Sequence, residues 1–251
     1  MKLNKSALLR YRDTLRRQIH RVELPVLILL GLGAAAIWVF AAVADAVIVG
    51  ESRVLDVAII TAMRNPADLS DPIGPRWVEG MARDFTALGG VAVLMMLTLA
   101  TVGYLVLASK GRIAVFVFVA VCGGLVLSSA FKTAFDRPRP DLVPHLSHVY
   151  TASFPSGHSM MSAATYLTLG TLLARIHRRR AIKIYFLGLA ILLTFVVGLS
   201  RVYLGVHWPT DVVAGWAAGA TWAILCWLVA LWLQQRRVVE PEGGEAATSE
   251  P

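Results

Sequence analysis

Six long apolar runs constrain this chain more than any other feature. A helix that crosses a bilayer needs about 20 consecutive apolar residues, and each run is of that order and contains no Asp, Glu, Lys or Arg. Hydrophobic residues make up 57% of the chain and charged residues only 16%, which excludes an ordinary soluble domain. The runs predict an all-α polytopic membrane protein, a bundle of six transmembrane helices within residues 24–234. The predicted helices cover 24–44, 87–108, 113–130, 159–174, 184–199 and 212–233.

The first run allows an alternative, a cleaved signal peptide. Basic residues precede it, and Ala42 and Ala44 form the A-x-A pattern of a cleavage site. However, the apolar core of a signal peptide is about 7 to 15 residues long, and this run is longer. We therefore predict a retained helix.

The positive charges divide unequally between the two ends of the predicted helices. With a cytoplasmic amino terminus, 16 of the 24 Lys and Arg residues lie on the cytoplasmic side, which satisfies the positive-inside rule. Residues 1–23 then form a basic cytoplasmic segment. Residues 235–251, poor in large apolar side chains, form a disordered cytoplasmic tail.

This orientation predicts a multi-pass protein of the inner (plasma) membrane. Segments 45–86, 131–158 and 200–211 then face the periplasm or exterior. The formal charge of +8 becomes a topological signal, reinforced by anionic headgroups. We accordingly predict no nucleic-acid partner.

The chemistry-bearing residues concentrate in the last two outer segments. They form three groups, each near the end of a predicted helix on one membrane side, so a compact bundle would bring them together. The groups are Lys132 with Arg139, Pro155 to His158, and Arg201 with His207 and Asp211.

The cations in these groups predict a phosphate pocket. Lys132, Arg139 and Arg201 are costly near the hydrocarbon boundary unless an anion meets them, and Arg matches phosphate oxygens with a planar fork. Snorkelling to headgroups would explain any one of them alone, but not their grouping with histidines.

The Pro-Ser-Gly-His step lies where the fourth helix begins. Ser156 can cap that helix, Gly157 lets backbone approach an anion closely, and the helix dipole favours negative charge. A bare tetrapeptide is usually only a structural cap. Its position beside the cations favours an anion cradle.

The histidines and the aspartate suit nucleophilic catalysis. If the Asp211 carboxylate binds one ring nitrogen of His207, the other nitrogen is free to attack phosphorus. His158 could then protonate the departing oxygen. A metal site is the competing use of these three residues, but the nearby cations would repel a dication, so we predict no metal.

Together the three groups resemble the signature motifs of the type-2 phosphatidic acid phosphatase family. The motifs are K-x6-R-P at 132–140, P-S-G-H at 155–158 and S-R-x5-H-x3-D at 200–211, and Arg137-Pro138 extends the first to the R-P-R-P run common in the family. The first 86 residues carry no comparable motif. The family shares its site with vanadium haloperoxidases, which are soluble.

The resemblance implies a phosphohydrolase without metal or cofactor that forms a phosphohistidine on His207. Asp211 would orient that imidazole, and His158 would act first as the acid and later as the base that activates water. The implied phosphate-binding residues are Lys132, Arg139, Ser156, Gly157 and Arg201.

The expected partner is a phosphorylated lipid in the membrane. Undecaprenyl diphosphate is favoured by analogy with family members of this size, beside a phosphatidate or phosphatidylglycerophosphate. A lipid A phosphatase or phosphotransferase stays open, as does a non-catalytic phospholipid binder or translocator, which would not need His158, His207 and Asp211. The sequence does not determine the oligomeric state or the final phosphoryl acceptor.

Overall fold

The computed structural model describes residues 5–146 and 151–235, which are mostly helical. A short antiparallel hairpin of β1 (Arg64–Asn65) and β2 (Asp68–Pro72) is inserted between the second and third helices. The helices are α1 (Lys5–Val49), α2 (Arg53–Ala62), α3 (Arg76–Leu88), α4 (Val91–Leu107), α5 (Gly111–Phe135), α6 (Gly157–Ile176), α7 (Arg180–Tyr203) and α8 (Pro209–Gln235).

The protein is a membrane protein with four or five candidate spans among the described helices. Val26–Val49 of α1, together with α5, α7 and α8, is long and apolar enough to cross a bilayer. The bent pair of α3 and α4 adds a fifth candidate if it counts as one span. The sequence predicted six spans, and α6 is the one without sufficient apolar character.

The position of α6 explains its polar sequence. It is the central helix and packs against α4, α5, α7 and α8. Ser159, Ser162 and Thr165 are fully buried in this helix, and the Ser162 hydroxyl donates to the Ser159 carbonyl oxygen over 3.1 Å. Because protein surrounds α6, its side chains need not be apolar toward lipid.

Two small residues let α8 lie directly on α6. A Cβ added at Gly215 would lie 2.7 Å from the Ser156 carbonyl oxygen, and one at Gly219 would collide with the Met160 carbonyl oxygen. The backbones therefore touch along this seam. This contact fixes the start of α8 beside the start of α6.

The second predicted helix, 87–108, corresponds to α4, which begins at Val91, and a bend separates α4 from α3. α3 and α4 meet at 48°, and Gly89 and Gly90 lie between them. The Tyr166 hydroxyl donates to the Leu88 carbonyl oxygen over 2.7 Å, and a Cβ added at Gly89 would lie 3.4 Å from the His158 Cβ. The bend thus packs on the beginning of α6.

The first helix begins earlier than the apolar run, and the predicted tail lies beyond the described residues. α1 begins at Lys5, so most of the predicted basic segment 1–23 continues the first helix. Ala44 of α1 packs with Phe154 and Ala214 in the core, so the end of α1 is part of the bundle. The predicted tail lies outside the described residues after Gln235.

Segment 45–86 folds onto the start of α8. Ile60 of α2 packs with Trp208 and Val212 in one buried cluster. Ala82 of α3 packs with Leu204 and Val206, which follow α7, and the Tyr203 hydroxyl donates to the Ile73 carbonyl oxygen over 2.8 Å. The segment without motifs is therefore part of the structure around the site.

Candidate active site

All three motif groups converge on one end of the bundle. Lys132 lies in the last turn of α5, Gly157 and His158 begin α6, and Arg201 lies in the last turn of α7. A cavity of about 370 Å³ opens between them. Its walls are formed by Gly89, Val91, Leu125, Ser128, Ser129, Lys132, Arg139, Thr151, Gly157, His158, Met161 and Arg201.

Lys132 is held at the cavity wall by the loop after α5. Its Nζ donates to the Thr151 hydroxyl over 2.8 Å and to the Ala152 carbonyl oxygen over 3.2 Å. A Cβ added at Gly157 would lie 3.2 Å from the Lys132 Cε. The glycine therefore leaves room for the ammonium group beside the N-terminus of α6.

Arg139 connects the cavity to His207. Its Nη1 donates to the Val206 carbonyl oxygen over 2.6 Å and lies 3.1 Å from the His207 Nε2. A guanidinium group has donors only, so Nε2 accepts this bond and carries a lone pair. The neutral imidazole then has its proton on Nδ1.

The other ring nitrogen faces Asp211. His207 Nδ1 lies 3.4 Å from Asp211 Oδ2, and both side chains are buried. The same carboxylate oxygen accepts hydrogen bonds from the Ser153 hydroxyl and, over 3.0 Å, from the Trp208 backbone N–H. Arg137 Nη1 donates to Oδ1 over 2.5 Å. Asp211 is therefore positioned from several sides.

Arg201 is buried to 2% exposure at the back of the cavity. Its Nη1 donates to the Thr86 hydroxyl over 2.9 Å, whereas its Nε has no hydrogen-bond partner among the described residues. A buried donor left unpaired costs about 1–3 kcal/mol, and more when it is charged. An anion in the cavity would remove that cost.

His207 is electrostatically poised as a neutral imidazole. Burial lowers its pKa well below the usual value of 6.5, and the positive charges of Arg201, Arg139 and Lys132 lower it further. Burial also lowers the pKa of Arg139. The site thus combines excess positive charge with an unprotonated nitrogen, which suits an anionic electrophile.

Ser156 and His158 occupy different positions although only one residue separates them. Ser156 is fully buried as the N-cap of α6, where its hydroxyl accepts from the Ser159 N–H over 3.4 Å and from the Ser159 hydroxyl over 3.0 Å. It is not part of the cavity wall, whereas His158 is. The hydroxyl of Ser156 thus shapes the helix start on which Gly157 and His158 lie.

Comparison with known proteins identifies the family to which this chain belongs. The sequence profile of the PAP2 superfamily matches residues 113–235. A decaprenylphosphoryl-5-phosphoribose phosphatase of Mycobacterium tuberculosis is 35% identical over 131 residues, which are 48% of this chain and 67% of that protein. The chain belongs to the PAP2 superfamily.

Further relatives agree with membership of the PAP2 superfamily. Phosphatidylglycerophosphatase B of Bacillus subtilis is 37% identical over 98 residues, which are 38% of this chain and 46% of that protein. The crystal structure of a transmembrane PAP2 type phosphatidylglycerolphosphate phosphatase from Bacillus subtilis superposes with a TM-score of 0.70 at 26% identity, over 80% of this chain and 96% of that one. By name these relatives are hydrolases of phosphate esters. The chain spans about half the length of three of the curated relatives it matches.

Side chains that could bind a metal ion do not come together in the described part of this PAP2 protein. Within 5–146 and 151–235, no three His, Cys, Asp or Glu side chains cluster as a metal site would require. His207 Nδ1 and Nε2 face Asp211 and Arg139. Both ring nitrogens of His207 therefore have polar neighbours.

The sequence patterns did not predict several residues that lie at the site. Ser153, Trp208 and Thr86 belong to no feature that suggested a role, and Asp56 lies in the segment without motifs. Arg137 was visible as part of the R-P-R-P run, but its pairing with Asp211 was not. Hydrogen bonds between residues distant in sequence connect them to the motifs, and such pairs leave no local pattern.

Proposed function

We propose that this PAP2 protein is a metal-independent lipid phosphate phosphatase that works through a phosphohistidine on His207. The observation that carries the proposal is that a cation-lined cavity lies next to His207, the proposed nucleophile. The cavity presents Lys132, Arg139 and Arg201, and Arg139 lies 3.1 Å from His207 Nε2. Three cations at the cavity, with an accepting nitrogen next to one of them, suit a phosphoryl group under attack.

In the first step, the Nε2 lone pair of His207 attacks phosphorus, and the bond breaks between phosphorus and the oxygen that leaves with the lipid, which is the bridging oxygen in a diphosphate. His158, protonated in the complex, gives its proton to that oxygen. The three cations and the α6 N-terminus at Gly157 hold the phosphoryl oxygens, with Ser156 supporting that helix start. Arg139 must release Nε2 as the phosphoryl group arrives, and its guanidinium then binds a phosphoryl oxygen instead.

In the second step, water attacks the phosphohistidine. His158, now neutral, takes a proton from the water while the bond between phosphorus and Nε2 breaks. Inorganic phosphate leaves, and His207 regains its lone pair. Asp211 stays ionised and keeps the Nδ1 proton in place throughout, stabilising the positive charge on the ring.

The topology belongs to the same proposal. We infer that α6 is the sixth span, shielded from lipid by its neighbours, and that both termini are cytoplasmic. The site then faces the periplasm or exterior of the inner membrane, where phospholipid headgroups lie. The distribution of Lys and Arg supports this orientation.

The substrate is a lipid phosphate, with undecaprenyl diphosphate the first choice and phosphatidate or phosphatidylglycerophosphate next. The apolar Val91, Leu125 and Met161 share the cavity with the cations, as a molecule with a charged head and an apolar chain requires. The relatives' names, which include a phosphatase of a decaprenyl-linked substrate, support a long-chain lipid.

Phosphate release from a panel of these lipids by purified protein, in the presence of EDTA, tests the proposal. We expect hydrolysis that EDTA leaves intact, inhibition by vanadate, and an acid-labile phosphoryl group on the protein after rapid quenching. His207→Ala should abolish both turnover and labelling. His177→Ala, at the far end of α6, is the matched control and should retain both.

Two results would contradict the proposal. Activity lost with EDTA and restored by a dication would exclude the metal-free mechanism, and labelling unchanged in His207→Ala would exclude the nucleophile. For topology, Ser70→Cys and Ser249→Cys in a background without Cys122 and Cys226 should differ. A membrane-impermeant maleimide should label only the former in intact cells.

A further inference from the structure

Asp56 is a buried carboxylate at the site that no motif contains. It lies in α2 with no solvent exposure. Its Oδ2 accepts from Arg137 Nη2 over 2.8 Å and from the Thr210 hydroxyl over 2.7 Å, and its Oδ1 accepts from the Thr210 N–H over 3.0 Å. Asp56 therefore holds both Arg137 and the first turn of α8.

Arg137 is shared between two carboxylates. Its Nη2 binds Asp56 and its Nη1 binds Asp211 and the Thr210 hydroxyl, the latter over 2.9 Å. The Trp208 ring lies over the guanidinium with 5.5 Å between the Arg137 Cζ and the ring centroid. Water is largely excluded, so these charges are weakly screened.

The charge count explains why two carboxylates are needed. With one carboxylate, the Arg137 cation would neutralise Asp211 and weaken its hold on the Nδ1 proton of His207. With Asp56 present, the group of Asp56, Arg137 and Asp211 carries a net negative charge. Asp211 then remains a strong hydrogen-bond acceptor toward the imidazole. The positive charge that develops on His207 during attack is then stabilised.

We propose that Asp56 is a positioning residue that acts through Arg137 and Asp211 on His207. It orients the arginine, cancels part of its charge and fixes the first turn of α8, and it does not touch the phosphate cavity. This inference rests on the proposed function, because it assigns Asp56 to the phosphohistidine step of that reaction.

The test compares Asp56→Asn, which keeps the shape and loses the charge, with Asp56→Glu, which keeps the charge and alters the fit. Asp56→Asn should lower kcat by about 10-fold or more and leave KM within about twofold. Asp68→Asn, an exposed aspartate of the hairpin, is the matched control and should behave like wild type.

The pH profile separates an electrostatic role from a merely structural one. His207 faces Lys132, Arg139, Arg201, His158 and Asp211. An uncompensated Arg137 adds positive charge to that group, so the acid limb of kcat in Asp56→Asn should move to lower pH by about 0.5 unit or more. In Asp56→Glu the limb should stay at its wild-type position even if kcat falls.

A double-mutant cycle with Arg137→Gln identifies the route. If Asp56 acts through Arg137, Asp56→Asn should cost little further kcat in the Arg137→Gln background. Additive losses, an unmoved acid limb, or wild-type kcat in folded Asp56→Asn would each overturn the inference. Absence of lipid hydrolysis by the wild-type protein would instead overturn the proposed function itself.

Discussion

The Thr86 hydroxyl accepts a hydrogen bond from Arg201 Nη1 over 2.9 Å. Thr86 lies near the end of α3, just before the bend into α4, and Arg201 lies in the last turn of α7. Both side chains are buried. The bond ties a helix without any motif residue to a cation at the back of the cavity, so α3 helps to orient that cation.

Thr86→Val should therefore weaken phosphate binding. Valine keeps the shape of threonine but removes the acceptor, and Arg201 then has fewer fixed contacts. Loss of one such bond, at about 0.5–1.5 kcal/mol, should raise KM by about 2- to 12-fold and change kcat less. Steady-state kinetics on a lipid phosphate measures both constants.

Thr86→Ser is the matched variant for this bond. It retains the hydroxyl and should recover most of the affinity that Thr86→Val loses. Equal KM values for Thr86→Val and wild type, or equal impairment in the two variants, would show that the bond does not orient Arg201.

Local patterns in the sequence predict the residues that surround the cavity but not those that hold them. The spacing of Lys132, Arg139, His158 and Arg201 places each beside a helix end, and the bundle brings them together as expected. Asp56, by contrast, reaches Arg137 from a segment with no motif. Its role depends on a long-range contact, which no periodicity encodes.

Two helices differ from the sequence prediction for a similar reason. Average hydropathy describes helices that face lipid, and α6 is surrounded by protein, so its serines and threonines weaken the signal without exposing polar groups. The predicted helix 87–108 begins before α4, because Ala87 and Leu88 are as apolar as the residues that follow but form the end of α3. Packing of Gly89 on His158 and Val197 decides the local geometry.

The lowered pKa of His207 predicts a pH-dependent stability. Unfolded chains bind a proton at this residue near pH 6.5, whereas the folded protein, with its lowered pKa, does not. The contribution of neutral His207 is therefore complete above that pH and is lost as the pH falls toward the folded pKa. The loss should be about 1.4 kcal/mol for each pH unit.

Unfolding of detergent-solubilised protein at pH 7.5 and 5.5 measures this effect against His207→Gln, which cannot titrate. Wild type should lose about 1.4 kcal/mol more than the variant over this interval. The difference should shrink when phosphate is present, because an anion favours the protonated ring. Parallel losses in the two proteins would mean that His207 titrates normally when folded.

Ser153→Ala tests how the Asp211 carboxylate is held in place. Ser153 is fully buried and donates to Asp211 Oδ2, the oxygen that also faces His207. Without the hydroxyl, the carboxylate is less firmly oriented, so kcat should fall by about 3- to 10-fold with KM nearly unchanged. The matched control is Ser162→Ala, another fully buried serine, whose hydroxyl bonds only within α6 among the described residues. A Ser162→Ala loss as large as that of Ser153→Ala would attribute the effect to packing.

Gly157→Ala tests the position of Lys132, because the added methyl group would contact that side chain. The Cβ would lie 3.2 Å from the Lys132 Cε and 3.6 Å from its Nζ, and a lysine can move its flexible end at little cost in folding energy. The ammonium would then leave Thr151 and Ala152, its partners at the cavity wall. We expect kcat/KM to fall by about 10-fold or more, with an unfolding temperature close to that of wild type.

Gly188→Ala provides the comparison, because a Cβ there has no neighbour within 4 Å. It exchanges glycine for alanine in the middle of α7 and should leave kcat/KM unchanged. Vanadate should bind weakly to Gly157→Ala and normally to Gly188→Ala. The reason is that the Lys132 ammonium group, displaced in Gly157→Ala, is needed to bind the phosphoryl oxygens. Full activity in Gly157→Ala would mean that Lys132 reaches the phosphate from either position, and that the glycine serves only the start of α6.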